Sequence, residues 1–334
     1  MKAFQIRKYK GLLEQTELPT PKFGPNDVLV KISAASVNQL DELLRVGTFK
    51  ATLPYPLPLT LGNDFAGEIA ELGANVANFK VGDRVYGKPN PSRIGTFAEY
   101  IAIDARDIAL VPESLTVVEA ASLPLVALTA LQTLEIGGVK AGDKVLIHGG
   151  AGGVGSMAIQ LAKALGATVA TTAGTANVDF VRSLGADIVI DYKSQDFSKE
   201  LSGYDFALDT QGGETLMKTL TVLRTGAQVI GIAGPPDVAF AKASNLNPVF
   251  RMIFSLLSSK VKRRAKSLGV SYRFLWVQSS GKQLAKLAGL VESGKLKPFV
   301  AREYSFDQTP KALSDLASGK IGRGKAVIRV SAKA

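Results

Sequence analysis

The sequence predicts an α/β protein of two modules, one β-rich and barrel-like and one built on a doubly wound parallel sheet. Three features of its 334 residues carry that expectation. The first hundred or so residues are short extended segments punctuated by Gly and Pro. Past Pro124, near-continuous apolar strands alternate with helical segments, the pattern of a parallel sheet covered on both faces. The last fifty residues return to a mixed texture. A soft expectation of roughly 150 residues per domain also gives two.

In the first module, strands are expected over 3–7, 28–33, 66–72, 84–86 and 96–103, with one short helix over 38–46. In the second, strands over 144–148, 168–172, 187–191, 205–209, 228–232 and 272–277 form a series of six. Between them lie helices such as 178–184 and the amphipathic run of Val154, Ala158, Leu161, Ala162 and Leu165. A helix over 283–292, an extended piece over 299–304, a helix over 311–317 and a strand over 325–330 complete the chain. The β-rich module is therefore expected to be discontinuous, 1–123 with 281–334, around a sheet module of 124–280.

Composition narrows the chemistry. Hydrophobic residues make up 46% and charged residues 21%, an ordinary balance for a folded chain. No apolar run reaches the roughly 18 residues of a membrane helix, and the N-terminus lacks a secretory pattern, so a cytoplasmic protein is expected. There is no cysteine, and His148 is the single histidine. A zinc site draws three or four ligands from Cys, His and carboxylates, so no metal site is expected. The net charge of +11 is uneven. Arg251, Lys260, Lys262, Arg263, Arg264, Lys266 and Arg273 follow one another without an intervening acid.

The strongest local signal is Gly150-x-Gly152-x-x-Gly155, directly after a buried strand and opening an amphipathic helix. In that context Gly150, Ala151, Gly152, Gly153, Val154 and Gly155 form a cradle for a dinucleotide pyrophosphate at a helix N-terminus. An NAD site commonly places a carboxylate about 20 residues further on. Here the stretch Ala170–Thr175 has none, which favours NADPH over NADH. The polar groups available for the adenosine end are Thr172, Thr175, Asn177 and Tyr192, with Lys325 a distant candidate. Ile232, ending a later strand, is assigned to the same cofactor. His148, with no partner at motif spacing, reads as a packed histidine.

With these residues in hand, the chain resembles the medium-chain dehydrogenase/reductase superfamily over essentially its whole length. The resemblance rests on Ala35–Asp41, Leu61–Gly67, Val81–Gly87, His148–Gly155, Leu184–Tyr192 and Gly324–Val327. It implies a GroES-like catalytic domain and a Rossmann-like coenzyme domain, with the active site in the cleft between them, and a homodimer. Zinc members carry Gly-His-Glu where this chain has Gly62-Asn63-Asp64, which places it with the zinc-free quinone oxidoreductases and enone or alkenal/one reductases. Leu43 and Phe49 stand where some quinone oxidoreductases have tyrosines, implying a more apolar pocket of Leu43, Phe49, Tyr55 and Leu57.

That kinship implies NADPH-dependent reduction of a quinone, or of the C=C bond of an α,β-unsaturated carbonyl. Asn38 and Lys50 are the candidate donors to the developing enolate oxygen. Asn38 and Asp41 also read as helix-capping residues, and Lys50 as solvated surface. A zinc-free alcohol dehydrogenase or enoyl-thioester reductase is the nearest alternative. From another class comes an NADPH-binding protein that docks on RNA or an anionic membrane through its basic segment.

Overall fold

The computed structural model describes residues 1–330. Residues 331–334, assigned above to the β-rich module, lie outside the described residues. The chain forms two compact units, residues 1–128 with 278–330, and residues 129–277.

The first unit contains β1 (Lys2–Ile6), β2 (Glu14–Glu17), β3 (Asp27–Val37), β4 (Leu59–Thr60), β5 (Asp64–Leu72), β6 (Arg84–Gly87), β7 (Tyr100–Asp104) and β8 (Ile108–Leu110). Its organising strand is β3, whose 11 residues pair antiparallel with β5 along most of its length and with β7 at its start. Val28, Leu29, Val30 and Ile32 are all buried, and burial along nearly the whole strand fits its place in the middle of the core. The strand expected at 28–33 therefore runs on to Val37. The one expected at 96–103 begins only at Tyr100. Before it, the Phe97 N–H donates to Leu61 and the Phe97 carbonyl accepts from Phe4, which draws that stretch away from the ladder.

The second unit holds β9 (Lys144–Ile147), β10 (Thr168–Ala173), β11 (Ile188–Asp191), β12 (Tyr204–Asp209), β13 (Leu223–Gly231) and β14 (Ser271–Phe274). All pair parallel in the order β11-β10-β9-β12-β13-β14. This order winds outward in both directions from β9, so the crevice at the carboxyl end of β9 is the topological switch point. The last strand is shorter than the expected 272–277. Its partner β13 ends at Gly231, opposite Phe274, and the ladder stops there.

The chain returns to the first unit with β15 (Val300–Ser305) and β16 (Lys325–Arg329). Strand β16 pairs antiparallel with the end of β3, matching Ala326 to Val37. The larger sheet of this unit thus runs β15-β16-β3-β5-β6-β8. No helix among the described residues is long and apolar enough to cross a membrane.

Candidate functional site

The glycine loop connects β9 to the helix Gly153–Ala164, and its glycines are needed for different reasons. Gly149 has φ +66, a left-handed conformation that side chains disfavour. A Cβ on Gly150 would lie 2.3 Å from the Thr171 hydroxyl on β10, and one on Gly155 2.2 Å from the Gly149 carbonyl. These two let the loop press on the sheet and the helix press on the loop. Gly152 differs, since its Cβ would meet only the Gly149 carbonyl at 3.3 Å. That contact is tight but much less severe than the other two, so the demand for glycine is weaker at this position. The helix has Gly152 as its N-cap, no side-chain cap and no acid in its first turn, so its leading N–H groups remain for an anion.

His148 lies beneath this loop and does not face a ligand. Its Nδ1 is 3.2 Å from the Thr172 hydroxyl and its Nε2 is 2.8 Å from that of Thr219. Thr219 already donates to the Thr215 carbonyl, so the proton sits on Nε2 and Thr172 donates to Nδ1. Burial pushes the imidazole down to about 4, so it stays neutral. This corrects the place of Thr172 among the cofactor residues. It is buried, and its hydroxyl also accepts from the Gly149 N–H at 3.1 Å, so it braces the loop from behind.

The other expected adenosine residues gather at the ends of β10 and β11. The Thr175 hydroxyl donates to Asp191 at 2.5 Å, while half-buried Asn177 sits in the turn that follows β10. Tyr192 is 61% exposed, and its ring lies over Gly174, where an added Cβ would meet its hydroxyl at 3.2 Å. The same Cβ would be 3.6 Å from the Lys193 side chain. The second strand's own loop has no cation, and the neighbouring strand supplies one. The register of Ala173 beside Asp191 brings it there. Ile232 is half-buried directly after β13. Lys325 belongs elsewhere, as the first unit shows.

There, strand register gathers a buried polar cluster. Asp64 opens β5 opposite Ser36 near the end of β3, and Lys325 opens β16 beside Val37. The Asp64 carboxylate accepts from Ser36 at 2.6 Å, the Asn38 amide at 2.8 Å and the Leu125 N–H at 2.7 Å. The Lys325 ammonium donates to the Val37 carbonyl at 2.8 Å and to the Asn38 amide oxygen, 3.6 Å from Asp64. Asp41, in the first turn of the helix Gln39–Arg45, accepts from the Asn38 N–H and the Asn63 amide, each at 2.7 Å. Burial raises the Asp41 carboxyl to about 7 and pushes Lys325 down. Gly62, at φ +109, brings Asn63 and Asp64 into the cluster, where a side chain would strike Thr96 and Phe97.

Two expectations change here. Lys325 is only 7% exposed and its ammonium is held by Val37, Asn38 and Asp64, so it is not a phosphate ligand. Asn38 is 4% exposed, with its amide oxygen on Lys325 and its nitrogen on Asp64 at 2.8 Å and the Ser36 carbonyl at 3.5 Å, so it positions Lys325 and Asp64 and is poorly placed to donate to a substrate. Lys50 is exposed in the turns after the helix Gln39–Arg45. Leu43 is 39% exposed, whereas Phe49 and Tyr55 pack against the core and the Tyr55 hydroxyl donates to the Pro91 carbonyl.

Sequence reading also missed Lys88. It follows β6, whose Gly87 pairs with Phe65, and it is fully buried. Among the described residues its ammonium reaches the Pro89 carbonyl at 3.2 Å and the Ser279 hydroxyl at 3.5 Å, and burial pushes it down to about 8. A lysine inside a barrel-like module gives no sequence signal that separates it from a surface lysine.

Comparison with known proteins agrees with this architecture. Residues 24–113 match the family described as alcohol dehydrogenase GroES-like domain, and residues 184–328 match that described as zinc-binding dehydrogenase. The second description fits the fold and not the ligand chemistry, since the chain has no thiol and its only imidazole is engaged by two threonines. A 2-methylene-furan-3-one reductase of Solanum lycopersicum is 36% identical over 98% of this chain and 79% of its own length. An NADPH-dependent alkenal/one oxidoreductase, chloroplastic, of Arabidopsis thaliana is 34% identical over 96% and 78%. The solved quinone oxidoreductase of Coxiella burnetii is 35% identical, covers 99% of both chains and superposes with a TM-score of 0.86.

Proposed function

The chain belongs to the medium-chain dehydrogenase/reductase superfamily, in its zinc-independent quinone and enone reductase branch, and from that premise we propose that it reduces quinones or the C=C bond of α,β-unsaturated carbonyls with NADPH. The observation that carries the reading is the glycine cradle at the switch point of the parallel sheet, joined to two relatives named for enone reduction.

NADPH, when bound, would supply a hydride for the β-carbon of an enone whose own carbonyl oxygen can take up the developing charge. The chain's own residues bind and orient. The Gly150–Gly155 backbone and the uncapped helix take the pyrophosphate. Tyr192, Lys193 and Asn177 take the adenosine ribose and its phosphate. Thr175 turns the Asp191 carboxylate aside, and Ile232 packs on the cofactor. Lys50 offers an ammonium to the carbonyl oxygen, an interaction worth up to about 3 kcal/mol of barrier when well placed. Leu43 and Phe49 favour an apolar substrate chain. Without a Lewis acid to polarise an alcohol, a substrate whose own carbonyl accepts the charge is the one this residue set serves. Strand β14, at the edge of its sheet, offers a free ladder to a second copy in a homodimer.

Turnover by chelator-treated protein tests the reading, with NADPH or NADH and short enones, 2-alkenals or quinones as acceptors. Metal-independent turnover with NADPH is expected. Tight NADPH binding with no turnover of any acceptor would overturn it.

A further inference from the structure

The helix Pro248–Ser267 buries only one of its faces. Phe254, Ser258, Val261 and Ala265, spaced by three and four residues, face its own unit, where Phe240 packs on Phe254 at 5.8 Å. On the other side, Val249, Met252, Ile253, Leu256 and Leu257 are 59, 60, 38, 68 and 56% exposed. At 3.6 residues per turn these five fall within an arc of about 140°. Further along the helix the same arc continues as Lys260, Arg263 and Arg264, all exposed. The neighbouring cations are otherwise engaged, Lys262 with Asp237 at 3.1 Å and Arg251 with the Leu246 carbonyl at 2.9 Å. Between Asp237 and Glu292 the sequence holds no acidic residue.

We propose that this face docks the protein on an anionic lipid surface. The helix lies in the plane of the interface, with the aliphatic stripe among the acyl chains and Lys260, Arg263 and Arg264 on the lipid phosphates. Charge chooses this occupant over the others. A second copy would cover the aliphatic stripe, but it brings the same cations and no acid from the segment to answer them. A nucleic acid would answer the cations and leave five large aliphatic side chains in water, where so large an apolar patch is rarely left on a monomer. An anionic bilayer accepts both halves of the face at once.

The test sediments the full chain with vesicles of phosphatidylcholine and phosphatidylglycerol, or of phosphatidylcholine alone. Retention is expected on the anionic vesicles only, weakening as salt is raised. The variant combining K260E, R263E and R264E should lose at least about a hundredfold in vesicle affinity. Leu256→Asp with Leu257→Asp should lose retention too, both variants keeping the wild-type thermal midpoint. Equal retention on the two vesicle types, or none on either, overturns the proposal. So does retention of a single-stranded RNA that survives Leu256→Asp, or a solution mass that halves in that variant, which would give the stripe to a second copy.

Discussion

The glycine cradle of the sheet unit and the polar cluster of the first unit both form at the ends of strands, but from opposite materials. The cradle is backbone, and its demands are steric: glycines wherever a Cβ would strike Thr171 or Gly149. The cluster is side chains, and its demands are electrostatic: two carboxylates, two amides and an ammonium that bind one another, helped by Ser36 and backbone groups. A backbone site leaves a short, local pattern in the sequence. A side-chain cluster gathered by register between distant strands leaves almost none.

Substitutions should separate the two kinds of site. The largest effect is expected at Gly155→Ala, whose methyl would lie 2.2 Å from the Gly149 carbonyl and force the loop to move. NADPH affinity should fall by about a hundredfold, the worth of one or two charge-assisted hydrogen bonds lost from displaced backbone N–H groups. Gly152→Ala, whose methyl would press on the Gly149 carbonyl at 3.3 Å, should lower the thermal midpoint less than Gly155→Ala and still lose NADPH affinity. Calorimetric titration with thermal denaturation checks the pair. If Gly152→Ala bound NADPH normally, the assignment of that glycine to the ligand would fall.

In the cluster the expected loss is of stability. Lys325→Met leaves Asp64 buried with three donors and no cation, and should destabilise the fold by about 3 kcal/mol. The urea midpoint should drop while NADPH affinity stays unchanged. A large loss of NADPH affinity at wild-type stability would return Lys325 to the cofactor.

Lys88→Met should work in the opposite direction, raising stability at neutral pH by about 1 to 3 kcal/mol, because the buried ammonium has no carboxylate at salt-bridge distance. The sign with pH follows from the lowered amine. Between about 8 and the ordinary 10.5 the unfolded chain holds this proton more tightly than the folded one, so wild-type stability should rise with pH across that window. The variant should lose the rise. An identical pH profile in both proteins would show that Lys88 carries no such burden.

The smallest effect concerns coenzyme choice. Lys193→Ala should weaken NADPH by about tenfold, the worth of one exposed charge-assisted hydrogen bond, and leave NADH nearly unchanged. Equal losses for both coenzymes would assign Lys193 to the pyrophosphate or to the fold.

How much was legible follows from the same contrast. The sheet unit was readable because apolar strands, the glycine loop and helical periodicity are all local. Its six strands appear near their expected places, and β14 is shortened only where β13 gives out. Thr172 was misread because a hydroxyl at the end of a strand looks alike whether it faces a ligand or braces a loop. Lys325 and Asn38 were singled out separately, 287 residues apart, and only the pairing of β16 with β3 shows that they bind each other. Lys193 follows β11 and reaches the Gly174 turn after β10 only through the pairing of those two strands.

Where the hydride goes distinguishes C=C reduction from C=O reduction. Chelator-treated protein is supplied with NADPH deuterated at the transferring position of the nicotinamide and a simple enone, and the product is read by NMR. Deuterium at the β-carbon of a saturated carbonyl is the predicted result. Deuterium on the carbinol carbon of an allylic alcohol would contradict it and make the protein a zinc-free alcohol dehydrogenase.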